Sequence, residues 1–203
     1  ALGATVLEIA TALGGRQQIA ETLVQTTALL FPALGITLAF RAGLFNIGAE
    51  GQLVIGGLAA GALGAHFVAP GPLAVVVLLA AGFIGGGIWG GIAGWLRARF
   101  NANEIISTLM LNFVALSLAS YLVSGPLKSA QAAGAETAPL PPQSWLPVLI
   151  PDTRLSIALL IAIATAIVLR WVLSRTVFGY DLRAAGEAPE AARRGGVNMP
   201  RMT

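Results

Sequence analysis

The sequence contains no cysteine and few charges: Asp, Glu, Lys and Arg together make up 10% of its 203 residues. The absence of cysteine excludes disulfide bonds and thiolate metal sites. Soluble domains carry about 25% charged residues, so this chain has too few charges to cover a globule in water. Its single lysine, Lys128, does not belong to a Gly-x-x-x-x-Gly-Lys-[Ser/Thr] motif, which excludes ATP hydrolysis by a P-loop.

Apolar residues are abundant instead, at 56% of the chain with a mean hydropathy of +0.81. They form long runs, and no charged residue lies between Glu50 and Arg97. A helix needs about 20 apolar residues to cross a bilayer, so that stretch alone accommodates two crossings and a turn. We predict an all-α fold: a polytopic transmembrane helical bundle with about five spans, forming one domain over residues 1–203.

The predicted spans follow from the apolar runs, which are separated by turn residues and by charges. Residues 1–21 are mixed in character and are expected to be interfacial or external. Ala69-Pro70-Gly71-Pro72 divides the second run from the third, because a helix cannot continue through it. The link over 124–154 is the longest. The spans are predicted at 22–40, 47–68, 73–96, 105–123 and 155–173.

Arginine placement predicts the orientation of these spans in the membrane. Loops rich in Lys and Arg stay on the cytoplasmic side, and the segment after the fifth span carries several arginines. Alternation then places Arg41, Arg97 and Arg99 inside and the 124–154 link outside. It also places the N-terminal segment outside, so we expect an earlier span, and further chain beyond both ends. The net charge of +3 forms no patch with aromatic residues, which argues against a nucleic-acid partner.

Glycines in the second and third spans recur at helical spacing. Residues four apart share a helix face, and membrane helices gain by close approach of small faces. We therefore expect the second and third spans to pack against each other or against a close neighbour. The third span carries Gly82, Gly86, Gly90 and Gly94; the second carries Gly57, Gly61 and Ala65, alongside Gly56, Ala60 and Gly64.

A first polar cluster lies between the first two spans and includes Asn46, Glu50 and Gln52. Asn is favoured at helix N-caps, and the helix dipole favours an acid in the first turn, where Glu50 falls. Two interpretations stay open. One is structural, with a cap, a dipole partner and an Arg41–Glu50 ion pair. The other is a broken helix beside a translocation path, because polar residues at membrane depth are functional candidates.

A second polar cluster opens the fourth span. Glu104, Thr108 and Asn112 fall four residues apart and form one stripe, and Asn101 or Asn103 is placed to cap the helix. Such groups need polar partners inside a bilayer. Bonding between helices would satisfy them, and so would a hydroxylated solute in a pathway. The periodicity does not choose between these interpretations.

The segment after the fifth span predicts one short helix. Pro189 suits a first helical position, and Glu190 suits the positive end of the dipole. Arg193 and Arg194 suit the negative end, and Gly195 or Gly196 can take the left-handed conformation after it. A short Ala-rich helix is a shape that docks into a groove on another protein. An amphipathic stretch on the inner leaflet is the alternative.

Three separated segments resemble the permeases of bacterial nucleoside and simple-sugar ABC importers, within the group that includes ribose and branched-chain amino acid permeases. They are Phe-Arg-Ala-Gly-Leu-Phe-Asn-Ile-Gly-Ala-Glu-Gly-Gln (40–52), Asn-Glu-Ile-Ile-Ser-Thr-Leu-Met-Leu-Asn-Phe with Ser-Gly-Pro-Leu-Lys (103–113 and 124–128), and Gly-Tyr-Asp-Leu-Arg-Ala-Ala-Gly-Glu-Ala-Pro-Glu-Ala-Ala (179–192). In the third, Glu187-Ala188 stands where the family pattern has a residue followed by asparagine.

This resemblance implies a permease subunit in a bacterial inner membrane, which moves a nucleoside or simple sugar by alternating access. It implies a cytoplasmic ATPase, a second permease subunit and an external solute-binding protein as partners, and no cofactor or metal. The 181–197 segment would be the coupling helix that docks on the ATPase, through Arg183, Gly186, Glu187, Pro189, Ala191, Ala192 and Gly195. The main alternative is a secondary transporter or channel, although such proteins usually carry charges near mid-membrane.

Overall fold

A computed structural model describes residues 15–67, 71–129 and 134–195. Within these ranges the chain forms seven α-helices and no extended strand beyond an isolated Val148–Ser156 bridge, which confirms an all-α bundle. A single 3₁₀ turn, Pro142–Ser144, lies in the long link. The helices are α1 (Arg16–Arg41), α2 (Ala49–Gly64), α3 (Gly71–Phe100), α4 (Glu104–Ser124), α5 (Ala158–Arg175), α6 (Val177–Glu187) and α7 (Pro189–Arg194).

Four of the described helices, α1, α3, α4 and α5, are long and apolar enough to cross a membrane. The chain is therefore a multi-pass membrane protein. The predicted span over 47–68 forms α2 instead, which has 16 residues and is ~24 Å long at 1.5 Å per residue. It starts only at Ala49 because the preceding residues make a turn, in which the Gly48 amide donates to Asn46 Oδ1 at 2.7 Å.

The first helix starts earlier than the sequence predicts. α1 begins at Arg16, so residues 16–21 belong to the helix and not to a separate external segment. The preceding stretch, 1–14, lies outside the described residues. α3 extends to Phe100 at its C-terminal end, beyond the predicted limit of residue 96, because the helix continues past its apolar run through Arg97 and Arg99.

Small side chains form the interior of this bundle, and large ones face outward. Several of the buried residues are alanines, whereas Phe83 is 82% exposed and Leu29 is 70% exposed. Soluble proteins rarely expose so much apolar surface to water. A bilayer does, because lipid is as apolar as leucine and helix contacts form through small residues. The buried alanines are Ala20, Ala74, Ala93, Ala115, Ala162, Ala185 and Ala192.

α2 and α3 pack against each other along glycines, as the sequence predicts. A Cβ atom at Gly56 would lie 2.7 Å from the Gly82 carbonyl oxygen, and one at Gly86 would lie 2.9 Å from the Gln52 carbonyl oxygen. Of the two small-residue rows predicted on α2, one packs on α3. Gly57 has nothing within 4 Å of such an atom, because the neighbouring row through Gly56 and Gly64 is the one that is buried.

Different links lie at the two ends of the bundle, and the end that faces the cytoplasm stays a prediction. One end gathers the α1–α2 connection, the Arg97–Glu104 junction and α6, as the contacts in the next subsection show. At the other end Gly64 packs on Leu140. Residues 17–21 of α1 share an open cleft there with Asp152, Thr153 and Arg154. The long link therefore covers the end opposite to α6 and α7.

Candidate functional site

The connection between α1 and α2, residues 42–48, is a compact turn with no helix of its own. Gly43 has φ +74°, a backbone conformation that glycine adopts without steric cost. Its amide donates to the Phe40 carbonyl at 3.1 Å, and the Leu44 amide donates to the Ala39 carbonyl at 2.9 Å. The turn ends at Gly48, the N-cap of α2, which has no side chain to accept from the first amides of the helix.

α4 supplies the cap that α2 lacks. The buried side chain of Asn112 accepts a hydrogen bond from the Gly51 amide at 2.9 Å through Oδ1. Its Nδ2 donates to the Ile47 carbonyl at 3.0 Å. Gly51 is the third residue of α2, and an N-cap side chain normally satisfies this amide. Asn112 therefore performs the capping function from another helix.

Thr108 adds a further bond one turn along α4. Its hydroxyl donates to the Glu104 carbonyl at 2.7 Å and accepts from the Ile47 amide at 3.3 Å. The contact makes a side chain at Gly48 a tight fit, since a Cβ atom there would lie 3.1 Å from Thr108 Cβ. Ile47 is therefore held by both Thr108 and Asn112.

Glu104 closes the same stripe at the start of α4. Its carboxylate accepts from Arg97 Nη1 at 2.7 Å, with the arginine side chain 40% exposed and the glutamate 10% exposed. Within the part of the chain that the structure describes, Arg97–Glu104 is the only ion pair. The predicted Arg41–Glu50 pair is not formed. Of the two predicted caps Asn103 is the one used, since it accepts from the Ile106 amide at 3.3 Å. The ion pair joins α3 to α4.

The structure brings the six predicted pathway residues to one end of the bundle. Asn46, Thr108, Asn112 and Glu104 are engaged with protein groups, as described above. Glu50 is exposed and forms no side-chain hydrogen bond or ion pair within the described residues. Gln52 lies against α3, where a Cβ atom at Gly90 would be 2.9 Å from its Nε2. A pathway role for these residues stays a prediction.

The segment after α5 forms two helices where the sequence predicts one. Pro189 opens α7 as predicted, but residues 177–187 form the additional helix α6. Ala188, with φ −145° and ψ 74°, separates the two and provides no side-chain cap. Gly195 has φ −76°, so it does not take the left-handed conformation; Gly196 lies outside the described residues.

α6 is fixed to the end of α5 by polar contacts. Thr176 caps α6 by accepting from the Gly179 amide at 3.1 Å, and its hydroxyl donates to the Val172 carbonyl at 2.6 Å. Arg183 Nη1 donates to the Leu173 carbonyl at 2.5 Å, where the negative end of the α5 dipole favours a cation. Gly179 permits this contact, since a Cβ atom there would lie 2.6 Å from Leu173 Cα.

The far end of α6 lies on the α1–α2 connection. A Cβ atom at Gly186 would lie 2.7 Å from the Gly43 nitrogen and would also contact the Arg41 carbonyl oxygen. The sequence identified Gly186 only through the resemblance. It gave Gly43, Thr176 and Gly179 no role in holding α6. A Thr before a helix is a capping signal that was available, but nothing local indicates the contact between distant glycines.

The predicted coupling residues divide between an outward and an inward surface. Arg183 and Gly186 are half-buried and hold the segment on the bundle through α5 and the α1–α2 connection, and Ala192 is buried. Pro189 starts α7. The exposed residues are Glu187, Ala191 and Gly195, together with Glu190, Arg193 and Arg194. The pair of helices therefore presents a short charged and Ala-containing surface away from the membrane spans.

Comparison with known proteins identifies related chains. Residues 18–203 match the family model described as the branched-chain amino acid transport system permease component. The chain is 34% identical to a glucose ABC transporter permease protein of Haloferax volcanii, covering 89% of this chain and 50% of that protein. It is 35% identical to a guanosine ABC transporter permease protein of Bacillus subtilis, covering 89% and 53%.

A nucleoside ABC transporter permease protein of Lactococcus lactis is 28% identical, with 94% of this chain and 55% of that protein covered. The chain thus spans about half the length of the curated relatives it matches. No solved structure matches it.

Proposed function

This chain belongs to the branched-chain amino acid transport system permease family, and on that basis we propose that it is part of the permease subunit of an ATP-binding-cassette importer. The solute is a nucleoside or a simple sugar, as the names of its relatives suggest. The protein resides in a bacterial inner membrane and pairs with a second permease subunit. A cytoplasmic ATPase supplies the energy, and an external binding protein delivers the solute.

The observation that carries this proposal is the α6–α7 segment at the arginine-rich end. Two helices stand outside the spans, and α7 exposes Glu190, Ala191 and Arg194. The inner face of α6 is bonded to α5 and packed on the α1–α2 connection. A surface that is exposed outward and attached inward suits a docking element that transmits movement, whereas a helix lying on a lipid leaflet would need no such attachment.

The pathway proposal places the solute at the polar residues of this same end. Glu50 is exposed beside the start of α2, and Thr108 and Asn112 hold that start in position. Hydroxylated solutes need hydrogen-bonding groups to replace water, and broken helices in transporters provide them. We expect replacement of all three by alanine to change transport kinetics; unchanged kinetics would remove these residues from the pathway.

Reconstitution tests the transport function. The full-length permease, its ATPase and its binding protein are placed in proteoliposomes, and uptake of labelled guanosine and glucose is measured. We expect uptake only with ATP and an ATPase competent for hydrolysis. Uptake that proceeds without the ATPase and stops when an ionophore collapses ion gradients would contradict the proposal and favour a secondary transporter.

Cross-linking tests the docking surface. Residues 1–203 contain no cysteine, so an introduced thiol does not compete with a native one in this part of the chain. Ala191 is exposed and its neighbour Ala192 is buried. We expect Ala191→Cys, with a bifunctional reagent, to give a product with the ATPase subunit in the assembled complex. Ala192→Cys is the matched control and should give little product. Absence of a product from Ala191→Cys in a transporting complex would contradict docking through α7.

A further inference from the structure

Two backbone segments, one before α2 and one at the end of α6, touch with no side chain between them. A Cβ atom at Gly43 would lie 3.0 Å from Gly186 Cα, and one at Gly186 would lie 2.7 Å from the Gly43 nitrogen and 2.9 Å from the Ala42 carbonyl carbon. Gly43 also has a positive φ of +74°, which only glycine adopts without strain. Both positions therefore require glycine for the contact to form.

On the α6 side, this contact is attached to the segment proposed to dock on the ATPase. Gly186 belongs to the last turn of α6, and α7 follows after a single residue. Arg183 and Thr176 hold the other end of α6 on the end of α5. A displacement of α7 would therefore act on a helix that is anchored at one end and in contact with Gly43 at the other.

On the α2 side, the contact leads directly to the bonds made by α4. Ile47 lies four positions after Gly43, and its amide and carbonyl bond to Thr108 and Asn112 at 3.3 and 3.0 Å. The Gly51 amide bonds to Asn112 at 2.9 Å. A shift of the 43–47 backbone must therefore either move the start of α2 together with α4 or break these bonds.

We propose that the contact between Gly43 and Gly186 transmits movement of α6 and α7 to the α1–α2 connection, and through it to α2 and α4. This inference rests on the proposed function. A contact between backbones has no side-chain rotamer that could absorb a displacement, and packed interfaces change between discrete arrangements rather than deforming continuously. Gly43 and Gly186 are thus positioning residues, which set the geometry of the pathway without touching the solute.

Alanine variants in the full-length complex test this inference. Gly43→Ala and Gly186→Ala are compared with Gly35→Ala, a matched control at which a Cβ atom meets nothing within 4 Å. The measurement is the number of solute molecules taken up per ATP hydrolysed, after retention of the ATPase has been checked by co-purification. Coupling between sites typically corresponds to about 5-fold or more. We expect a loss of that size in the two test variants and none in Gly35→Ala.

A second measurement decides the matter if a variant fails to assemble. Hydrogen–deuterium exchange is followed in the wild-type complex with and without nucleotide, over residues 177–187 and 44–51. We expect both segments to change together, and we expect Gly186→Ala to keep the first change and lose the second. A wild-type complex in which 44–51 does not respond, or a Gly186→Ala complex in which it responds fully, would overturn the inference.

The outcomes separate this inference from the proposed function. If the wild-type complex shows no ATP-driven uptake, the proposed function is wrong. If the wild type transports and the two glycine variants behave like Gly35→Ala, only the transmission route is wrong.

Discussion

Replacing Asn112 with alanine should destabilise the membrane domain, because this side chain is the hydrogen-bond partner of two backbone groups around the start of α2. Asn112 Oδ1 accepts from the Gly51 amide at 2.9 Å, and Nδ2 donates to the Ile47 carbonyl at 3.0 Å. Asn112 is 6% exposed and Gly51 is also buried, so water cannot readily replace the lost partner of the amide.

The magnitude follows from these two bonds. Hydrogen bonds between membrane helices average about 0.6 kcal/mol and reach about 1.7 kcal/mol. Leaving a buried donor without a partner costs about 1–3 kcal/mol, and this higher cost applies to the Gly51 amide. The Ile47 carbonyl lies at an exposed residue and can be hydrated, so the average applies there. We expect Asn112→Ala to lower the free energy of unfolding by about 2–3 kcal/mol.

Denaturant titration of the purified permease in mixed micelles measures this change. Ser120→Ala is the matched control, since Ser120 lies on the same helix, is exposed and has a side chain that forms no hydrogen bond within the described residues; it should stay within about 0.5 kcal/mol of the wild type. Asn112→Asp keeps an acceptor for the Gly51 amide but sets a second carboxylate oxygen against the Ile47 carbonyl at a buried site, so it should destabilise the protein at least as much as Asn112→Ala. A loss for Asn112→Ala equal to that of Ser120→Ala would refute the idea that α4 caps α2.

Two further predictions concern the helix contacts around this site. Gly56→Leu should destabilise the protein by about 1–3 kcal/mol through overpacking, because a Cβ atom there would lie 2.7 Å from the Gly82 carbonyl oxygen. A Cβ atom at Gly57 meets nothing within 4 Å, so Gly57→Leu should cost less; equal thermal shifts for the two variants would contradict the packing. Glu104→Gln should cost less than about 1 kcal/mol in denaturant titration, since the Arg97 partner is 40% exposed, and a loss of several kcal/mol would show that the ion pair behaves as a buried one.

The long apolar helices could be predicted from the sequence because length and composition alone decide them. α3, α4 and α5 appear within a few residues of their predicted positions. α2 does not, since its start depends on the turn at Asn46 and Gly48 and on bonds from Asn112. Gly51 and Asn112 lie 61 positions apart in the sequence, and no local pattern indicates that contact.

The packing face of α2 illustrates a second limit. Glycine and alanine occupy both the row through Gly56 and Gly64 and the adjacent row through Gly57 and Gly61. Either row permits close approach, so composition cannot distinguish them. The structure buries the first row because that face meets α3 while α2 is held by α4. The attachment to α4 therefore determines which row of α2 packs on α3, and the sequences of α2 and α3 alone do not.

α6 shows a third limit, which comes from intrinsic helix propensity. Its sequence contains Gly179 and Gly186, and glycine in a helix costs about 1 kcal/mol relative to alanine. Propensity therefore argues against a helix over 177–187. The helix forms because each glycine allows a backbone contact that any other residue would prevent: Gly179 meets α5 and Gly186 meets Gly43. Tertiary packing at Gly179 and Gly186 thus outweighs the low helix propensity of glycine.

The polar stripe on α4 explains why structural and functional interpretations of it are difficult to separate. A short helix such as α2, with a glycine N-cap, leaves free amides that must be satisfied where water is scarce. Asn112 satisfies one of them, the Gly51 amide, and Thr108 accepts from the Ile47 amide just before the helix, so the position of α4 fixes the start of α2 and the exposed Glu50 beside it. A transporter that changes the angle between α2 and α4 would have to exchange these bonds for others. Asn112 and Thr108 stabilise one conformation, and their hydrogen bonds must differ in the next conformation. Substitutions at Asn112 therefore report on both stability and transport.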